Sequence, residues 1–221
     1  MTGFQRARSE EQREVRRRAI LGAAGAMLAE MPVAQVSLNE LSRRAGLAKS
    51  NVLRYFDSRE AVLLELLDEA WRDWLAKLAV ELAGVSGPAA ERREQVAAAV
   101  AGSLAARPVL CDLLGAQAAV LERNVSPAVA ARSKRAAIDN IGSLGALLLA
   151  AIPELGEPGA ERLAGAAVLV AGALWAHGQP SPAMLAAYEA DPSLAVFRLD
   201  FGSTLTEVLA VLIAGLLARD T

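Results

Sequence analysis

The stretch SLNELSRRAGLAKSNVLRYFDSREA, residues 37–61, decides the fold. Ser37 and Glu40 have the spacing of a capping box, which opens a helix by satisfying its free N–H groups. Leu38, Leu41 and Ala45 then form the inward stripe of a helix about two turns long. Gly46 permits a sharp turn and small Ala45 a close crossing. A second short helix, Lys49 to Phe56, follows. In it Val52 and Phe56, four apart, face inward, while Lys49, Ser50, Asn51 and Arg54 stay outside. Leu38, Leu41, Leu47, Val52 and Phe56 make a miniature core that fixes the crossing angle. Two short helices joined this way, braced by a longer one before them, are the unit that sets a helix into the major groove.

Upstream, Ser9 and Gln12 read as a capping box. Ile20, Leu21, Ala24, Met27, Leu28 and Met31 recur at helical spacing until Pro32 stops the helix. Downstream, Asp57 and Glu60 read as a third capping box, opening a long helix through Leu63, Leu67, Trp71, Trp74 and Leu78 that ends at Gly84 to Pro88. The remainder predicts Ala-rich helices over 89–106, 108–123, 127–151, 158–177, 181–190 and 193–218. Prolines at 108, 127, 153, 158, 180, 182 and 192 suit first turns or the gaps before them. The expected fold is all-α: an N-terminal three-helix helix-turn-helix DNA-binding domain, residues 1–57, followed by a helical ligand-binding and dimerisation domain, residues 58–221.

Composition agrees. Of 221 residues 54% are hydrophobic and only 4% aromatic, so the apolar mass is Ala, Leu and Val, which favours helices. The net charge of −2 conceals an asymmetry. Residues 1–60 carry 11 Lys/Arg against 7 Asp/Glu, net +4, whereas residues 61–221 carry 12 against 18, net −6. Affinity for a polyanion therefore belongs to the N-terminus. One cysteine and one histidine leave no disulfide, no cysteine-based zinc site and no assembled nucleophile and base, so no catalytic, metal or cofactor residues are expected. No uninterrupted apolar run reaches about 18 residues and the charged N-terminus is unlike a signal peptide, which predicts a cytoplasmic protein without membrane partners.

Residues 37–61 resemble the DNA-binding segment of the TetR (tetracycline-repressor-like) family. The features are the serine before the helix, the Ala45-Gly46 turn, the Tyr55-Phe56 pair ending the recognition helix and basic Arg59 opening the next. The motif resemblance covers about residues 11–75. It implies that Lys49, Ser50 and Asn51 lie toward base edges, with Ser37 at the helix entry, and that Tyr55 and Arg59 reach the DNA backbone. Asn pairs bidentately with adenine, Lys meets guanine acceptors, and a cation at 59 suits a phosphate beside a helix N-terminus. Ala48 and Leu53 depart from the family's usual Ser and Tyr, and Leu53 suits a thymine methyl instead. Arg16, Arg17, Arg18, Arg43 and Arg44 read equally as solvated faces or phosphate contacts.

The resemblance further implies a two-fold dimer joined by a four-helix bundle. Gly165, Leu169, Gly172 and Ala176 offer a small-residue face, and Val208, Leu212 and Gly215 another, with intramolecular core as the competing reading. Cys111, Gln117, Asn140, Trp175 and His177, isolated polar or aromatic groups in apolar helices, are the candidate effector contacts, His177 serving alternatively as a helix cap. The function that follows is a repressor released from near-palindromic double-stranded operator DNA by a small, largely apolar effector. The rivals are a helical scaffold or partner-binding protein without specific DNA affinity, against which the exposed Lys49, Asn51, Arg54 and Arg59 speak, and a small helical enzyme.

Overall fold

A computed structural model describes residues 2–219, with side chains from residue 11 onward except at position 197. Its helices are α1 (Thr2–Leu28), α2 (Leu38–Arg44), α3 (Lys49–Val52), α4 (Arg59–Leu82), α5 (Ala89–Ala105), α6 (Pro108–Ala116), α7 (Pro127–Ala151), α8 (Gly156–His177), α9 (Pro182–Ala190) and α10 (Phe201–Arg219). Short 3₁₀ turns cover Val33–Gln35, Pro153–Leu155 and Pro192–Phe197, and one π turn, Gln117–Leu121, prolongs α6. No strand occurs among the described residues.

Local signals explain most boundaries. Ser126 and Ser181 cap α7 and α8's successor α9, accepting from Val129 N and Met184 N, and each is followed by a proline whose missing N–H costs nothing in a first turn. Several boundaries differ from the sequence expectation, three of them at a helix start. α1 runs straight through Ser9, so no helix starts there, and the Ser9 side chain itself lies outside the described residues. α4 is capped by Ser58, which accepts from Ala61 N, and not by Asp57. Asp57 instead accepts from Ser126 Oγ at 2.9 Å. The last helix starts at Phe201, eight residues late. Pro192–Phe197 forms a 3₁₀ turn, and Asp200 Oδ1 accepts from Ser203 N at 2.8 Å to open α10.

The long α4 joins the two halves of the molecule. It packs on α1 near its start and on α5, α6 and α7 further along. α7 and α10 then pack with α8 and α5 into the body of the larger half. Where α6 crosses α8 the backbones nearly touch. A Cβ on Gly172 would lie 3.2 Å from the Leu114 backbone, and one on Gly115 would lie 3.0 Å from Gly172 O. Gly172, expected on a dimer face, is thus committed to its own chain. Gly172→Ala is expected to lower the melting temperature, because overpacking costs about 1–3 kcal/mol. Gly102→Ala, in open space on α5, should raise it through helix propensity worth about 0.5–1 kcal/mol. Calorimetry of both variants checks the pair.

By length and composition the helices at Pro153–His177 and Phe201–Arg219 are apolar enough to cross a membrane, with mean hydropathies of 1.2 and 1.9. The absence of an uninterrupted apolar run does not register this, because one or two charges, such as Glu207 within the last helix, interrupt a run without making the 18-residue average polar. Only 44% and 17% of those windows are buried within the chain, so much of this apolar surface faces outward.

Candidate nucleic-acid interface

The turn between α2 and α3 is closed as the glycine dictates. Ser37 Oγ caps α2, accepting from Glu40 N at 3.2 Å. At the other end Gly46, at φ +65°, lets its own N–H reach Arg43 O and Leu47 N reach Ser42 O, the paired bonds of a Schellman motif. Val52 and Phe56 are buried, as their spacing predicts. α3 proper is only four residues long, but tight turns continue through Tyr55 N to Val52 O and Phe56 N to Val52 O, which keeps residues 49–56 one compact unit.

That unit presents Lys49, Ser50, Leu53 and Arg54 to solvent, with Asn51 and Tyr55 half-buried. Asn51, Arg54 and Tyr55 line one wall of an open cleft of about 440 Å³, and Gln12, Arg13 and Arg16 of α1 line the other. Among the described residues Arg13, Arg16, Lys49 and Arg54 have no carboxylate partner. The cleft is therefore cationic, and its charge is unpaired among the described residues.

The three consecutive arginines have three fates. Arg16 lines the cleft and Arg18 pairs with Glu14 on the surface. Arg17 turns inward: Nη1 donates to Tyr55 O at 3.0 Å, Nη2 donates to Glu65 of α4, and the guanidinium lies 4.5 Å over the Phe56 ring. One side chain thus ties α1, the end of the recognition unit and α4 together. Three residues before Ile20 and seven before Ala24, it continues the inward stripe of α1, which Arg16 and Arg18 only flank.

Arg43 and Arg44 are not free for phosphate either. Both donate to Glu40, and Arg44 also to Glu30. These hydrogen bonds, Arg43's first and Arg44's second, hold the Glu40 carboxyl down to about 2. The pairing is complete above the ordinary carboxylate range and is lost as pH falls toward 2.

Arg59, expected at the DNA backbone, donates within the chain from Nη1 to Val36 O at 2.7 Å and from Nη2 to buried Glu60 at 2.9 Å. It anchors the loop before α2 to the start of α4, and its guanidinium is largely engaged there.

Residues 20–66 match the model of bacterial regulatory proteins of the tetR family, and residues 68–220 match that of the tetracyclin repressor-like C-terminal domain. The chain belongs to the TetR family. A curated relative, the HTH-type transcriptional regulator EthR of Mycobacterium tuberculosis, is 44% identical over 50 residues, which span 23% of each chain. Among solved structures, a TetR transcriptional regulator from Rhodococcus sp. RHA1 aligns with 96% of this chain and 100% of its own at 15% identity, with a TM-score of 0.57. FadR from Bacillus subtilis, in complex with stearoyl-CoA, aligns with 89% of this chain and 97% of its own at 16% identity, with a TM-score of 0.55. At such identities these likenesses concern the fold.

In this TetR-family chain each of the five residues suggested for an effector pocket makes a contact within the chain. Cys111 is fully buried and donates to Leu104 O at 3.3 Å, and burial pushes its thiol up to about 12, far from reactive. Gln117 donates to Glu122 across the π turn at 2.9 Å. Asn140 donates to Asp68 of α4 at 2.9 Å. Trp175 meets Phe201 edge to face at 5.2 Å, and His177 edges a pocket of about 90 Å³ beside Tyr188 and Arg198. Each serves a different local contact. The central space between α5, α7, α8 and α10, lined by residues such as Val100, Leu144, Leu163 and Ile213, is a gap of only about 10 Å³.

The remaining face residues stay outward. Leu169 and Val211 are 76% and 66% exposed, Gly165 and Gly215 have open space where a side chain would stand, and Val208 and Leu212 are half-buried beside them.

Proposed function

We propose that this chain is a DNA-binding transcriptional repressor that acts as a cytoplasmic homodimer on near-palindromic operator DNA and is released by a small, largely apolar effector. The observation that carries the reading is the cationic cleft. Asn51, Arg54 and Tyr55 face Arg13 and Arg16 across it, with Lys49, Ser50 and Leu53 exposed alongside. In this reading Lys49, Ser50, Asn51 and Leu53 meet base edges from the major groove. Arg13, Arg16, Arg54 and Tyr55 neutralise or bond phosphates on either side. Arg59 positions the reader from within.

The outward apolar surface of α8 and α10 supports a second copy of the chain as its cover, since a patch of that kind on a regulator reads as an interface. Release has a route. The reader is bonded to the larger half at two points besides α4: Val33 N donates to Asp112 of α6 at 2.7 Å, and Ser126 at the start of α7 donates to Asp57. An effector that shifts α6 or α7 moves both. Stearoyl-CoA in the FadR structure is an apolar-bodied ligand on a comparable fold, and the Ala, Leu and Val of the sensor helices suit the same broad class.

Selection from random DNA followed by binding titrations tests the reading. Asn51→Ala is expected to relax preference at one base position by about 1–3 kcal/mol. Arg16→Ala should weaken all sequences alike and make the slope of log K against log salt shallower by about 0.9. No selected sequence, or identical effects of the two substitutions, would overturn it.

A further inference from the structure

We propose that the indole N–H of Trp71 is the donor that fixes the effector, so the effector carries a neutral hydrogen-bond acceptor on its apolar body. The inference deepens the reading of residues 58–221 as a sensor and rests on it.

Among the described residues, Trp71 Nε1 is the buried side-chain polar atom left without a partner. Trp71 is 3% exposed. Its neighbour on the helix, Trp74, is ordinary by comparison and donates to Ser103 of α5 at 2.9 Å. Buried donors in folded proteins are nearly always satisfied, so an orphan calls for a specific cause.

Helical geometry shows which face of α4 carries the indole. Positions 68, 71 and 74 follow at three-residue steps, each about 60° short of a full turn. Asp68 faces Asn140 of α7 and Trp74 faces Ser103 of α5. Trp71 lies midway between them and points into the body of the sensor, between α5 and α7.

Nothing there answers it. The buried polar residues of the larger half are Glu60, Ser103 and Asn140; Glu60 accepts from Arg59, Ser103 from Trp74, and Asn140 donates from Nδ2 to Asp68, and none of them accepts from Trp71. The rest of the core around α4 is Leu, Val and Ala. A lone water is a poor substitute, since buried waters need two to four polar partners and Trp71 supplies one.

A carbonyl, ester or amide oxygen on an apolar ligand would satisfy the indole. A hydrocarbon leaves it orphaned and an alkylammonium offers no acceptor. A carboxylate would enter an apolar core without a countercharge. The gap of about 10 Å³ between α5, α7, α8 and α10 is not lined by Trp71, so an effector must open its own space beside the indole by parting the sensor helices, and this couples occupancy to the contacts at Asp112 and Ser126.

The test uses full-length protein labelled with ¹⁵N at tryptophan, in which Trp71, Trp74 and Trp175 give three indole signals, and three probes: octan-2-one, octane and octylamine. Octan-2-one is expected to move the Trp71 signal downfield and to bind roughly tenfold to a hundredfold tighter than octane, the advantage expected when a buried orphan donor is satisfied. In Trp71→Phe the preference for the ketone should vanish while the Trp74 signal stays in place. The proposal is overturned if no probe binds, if the Trp71 signal is unmoved by the ketone, or if the preference survives in Trp71→Phe. Failure of the DNA reading would show separately, as a chain that selects no operator whatever its indole signals do.

Discussion

Leu169→Glu combined with Val211→Glu is expected to convert the protein to a monomer and to lower operator affinity by about 10²–10⁴-fold. Both side chains are more exposed than core packing would allow, at 76% and 66%, and both lie on helices whose apolar windows are mostly unburied in one chain. Four like charges brought together across a two-fold axis oppose association directly, because each charge meets its own copy. The loss of DNA affinity follows from geometry. A recognition unit spanning Lys49 to Phe56 covers few base pairs, so useful affinity depends on the second half-site being engaged at an effective concentration set by the dimer, and that advantage is of the stated order. Sedimentation at micromolar concentration reads the first effect and operator titration the second. A variant that remains dimeric would place the interface elsewhere. A monomer with undiminished specific affinity would remove the need for a dimer.

The reader was legible in the sequence because its determinants are local. Ser37, Gly46, Val52 and Phe56 act within a few residues of themselves, and the structure uses them as their spacing implies. α7 matches its expected bounds for the same reason, with Ser126 and Pro127 as an adjacent start signal. The late start of α10 was also legible in principle: Asp200 with Ser203 three residues on is a cap signature, and Pro192 drew attention away from it.

What local reasoning could not supply were the roles set by distant partners. Arg17 is in line with the Ile20 and Ala24 stripe, but its partner Glu65, 48 residues away, cannot be read from that stripe. Arg59 is diverted by Val36 and Glu60, and Gly172 by Leu114 and Gly115. The contacts of the pocket candidates follow the same logic. An isolated Asn or Gln in an apolar helix signals that a polar partner exists, but Asn140 and Gln117 find theirs within the protein. Trp71 gave no signal at all, since an indole in a Leu-rich stripe reads as core until its N–H is found without an acceptor.

Arg17→Leu should destabilise the reader by about 2–3 kcal/mol and abolish operator binding at concentrations where the parent saturates. Removing one partner of a fully buried ion pair costs about 3–5 kcal/mol. Here the side chains of Arg17 and Glu65 are 26% and 35% exposed, so solvent screens part of that cost. The bond to Tyr55 O and the stacking on Phe56 add to the loss, because they hold the end of the recognition unit against α4. Without them the end of the recognition unit is held to α4 less firmly, and a signal reaching α4 from the sensor is transmitted more weakly, since the ties at Arg59, Asp112 and Asp57 remain. A double-mutant cycle with Glu65→Gln isolates the tie: a coupling energy above about 1 kcal/mol in the cycle is expected. Hydrogen exchange should show faster opening of residues 49–56 than of α7 in Arg17→Leu. Additive substitutions, or equal acceleration throughout the chain, would mean that Arg17 stabilises the molecule generally and that the reader is coupled to α4 through Arg59 alone.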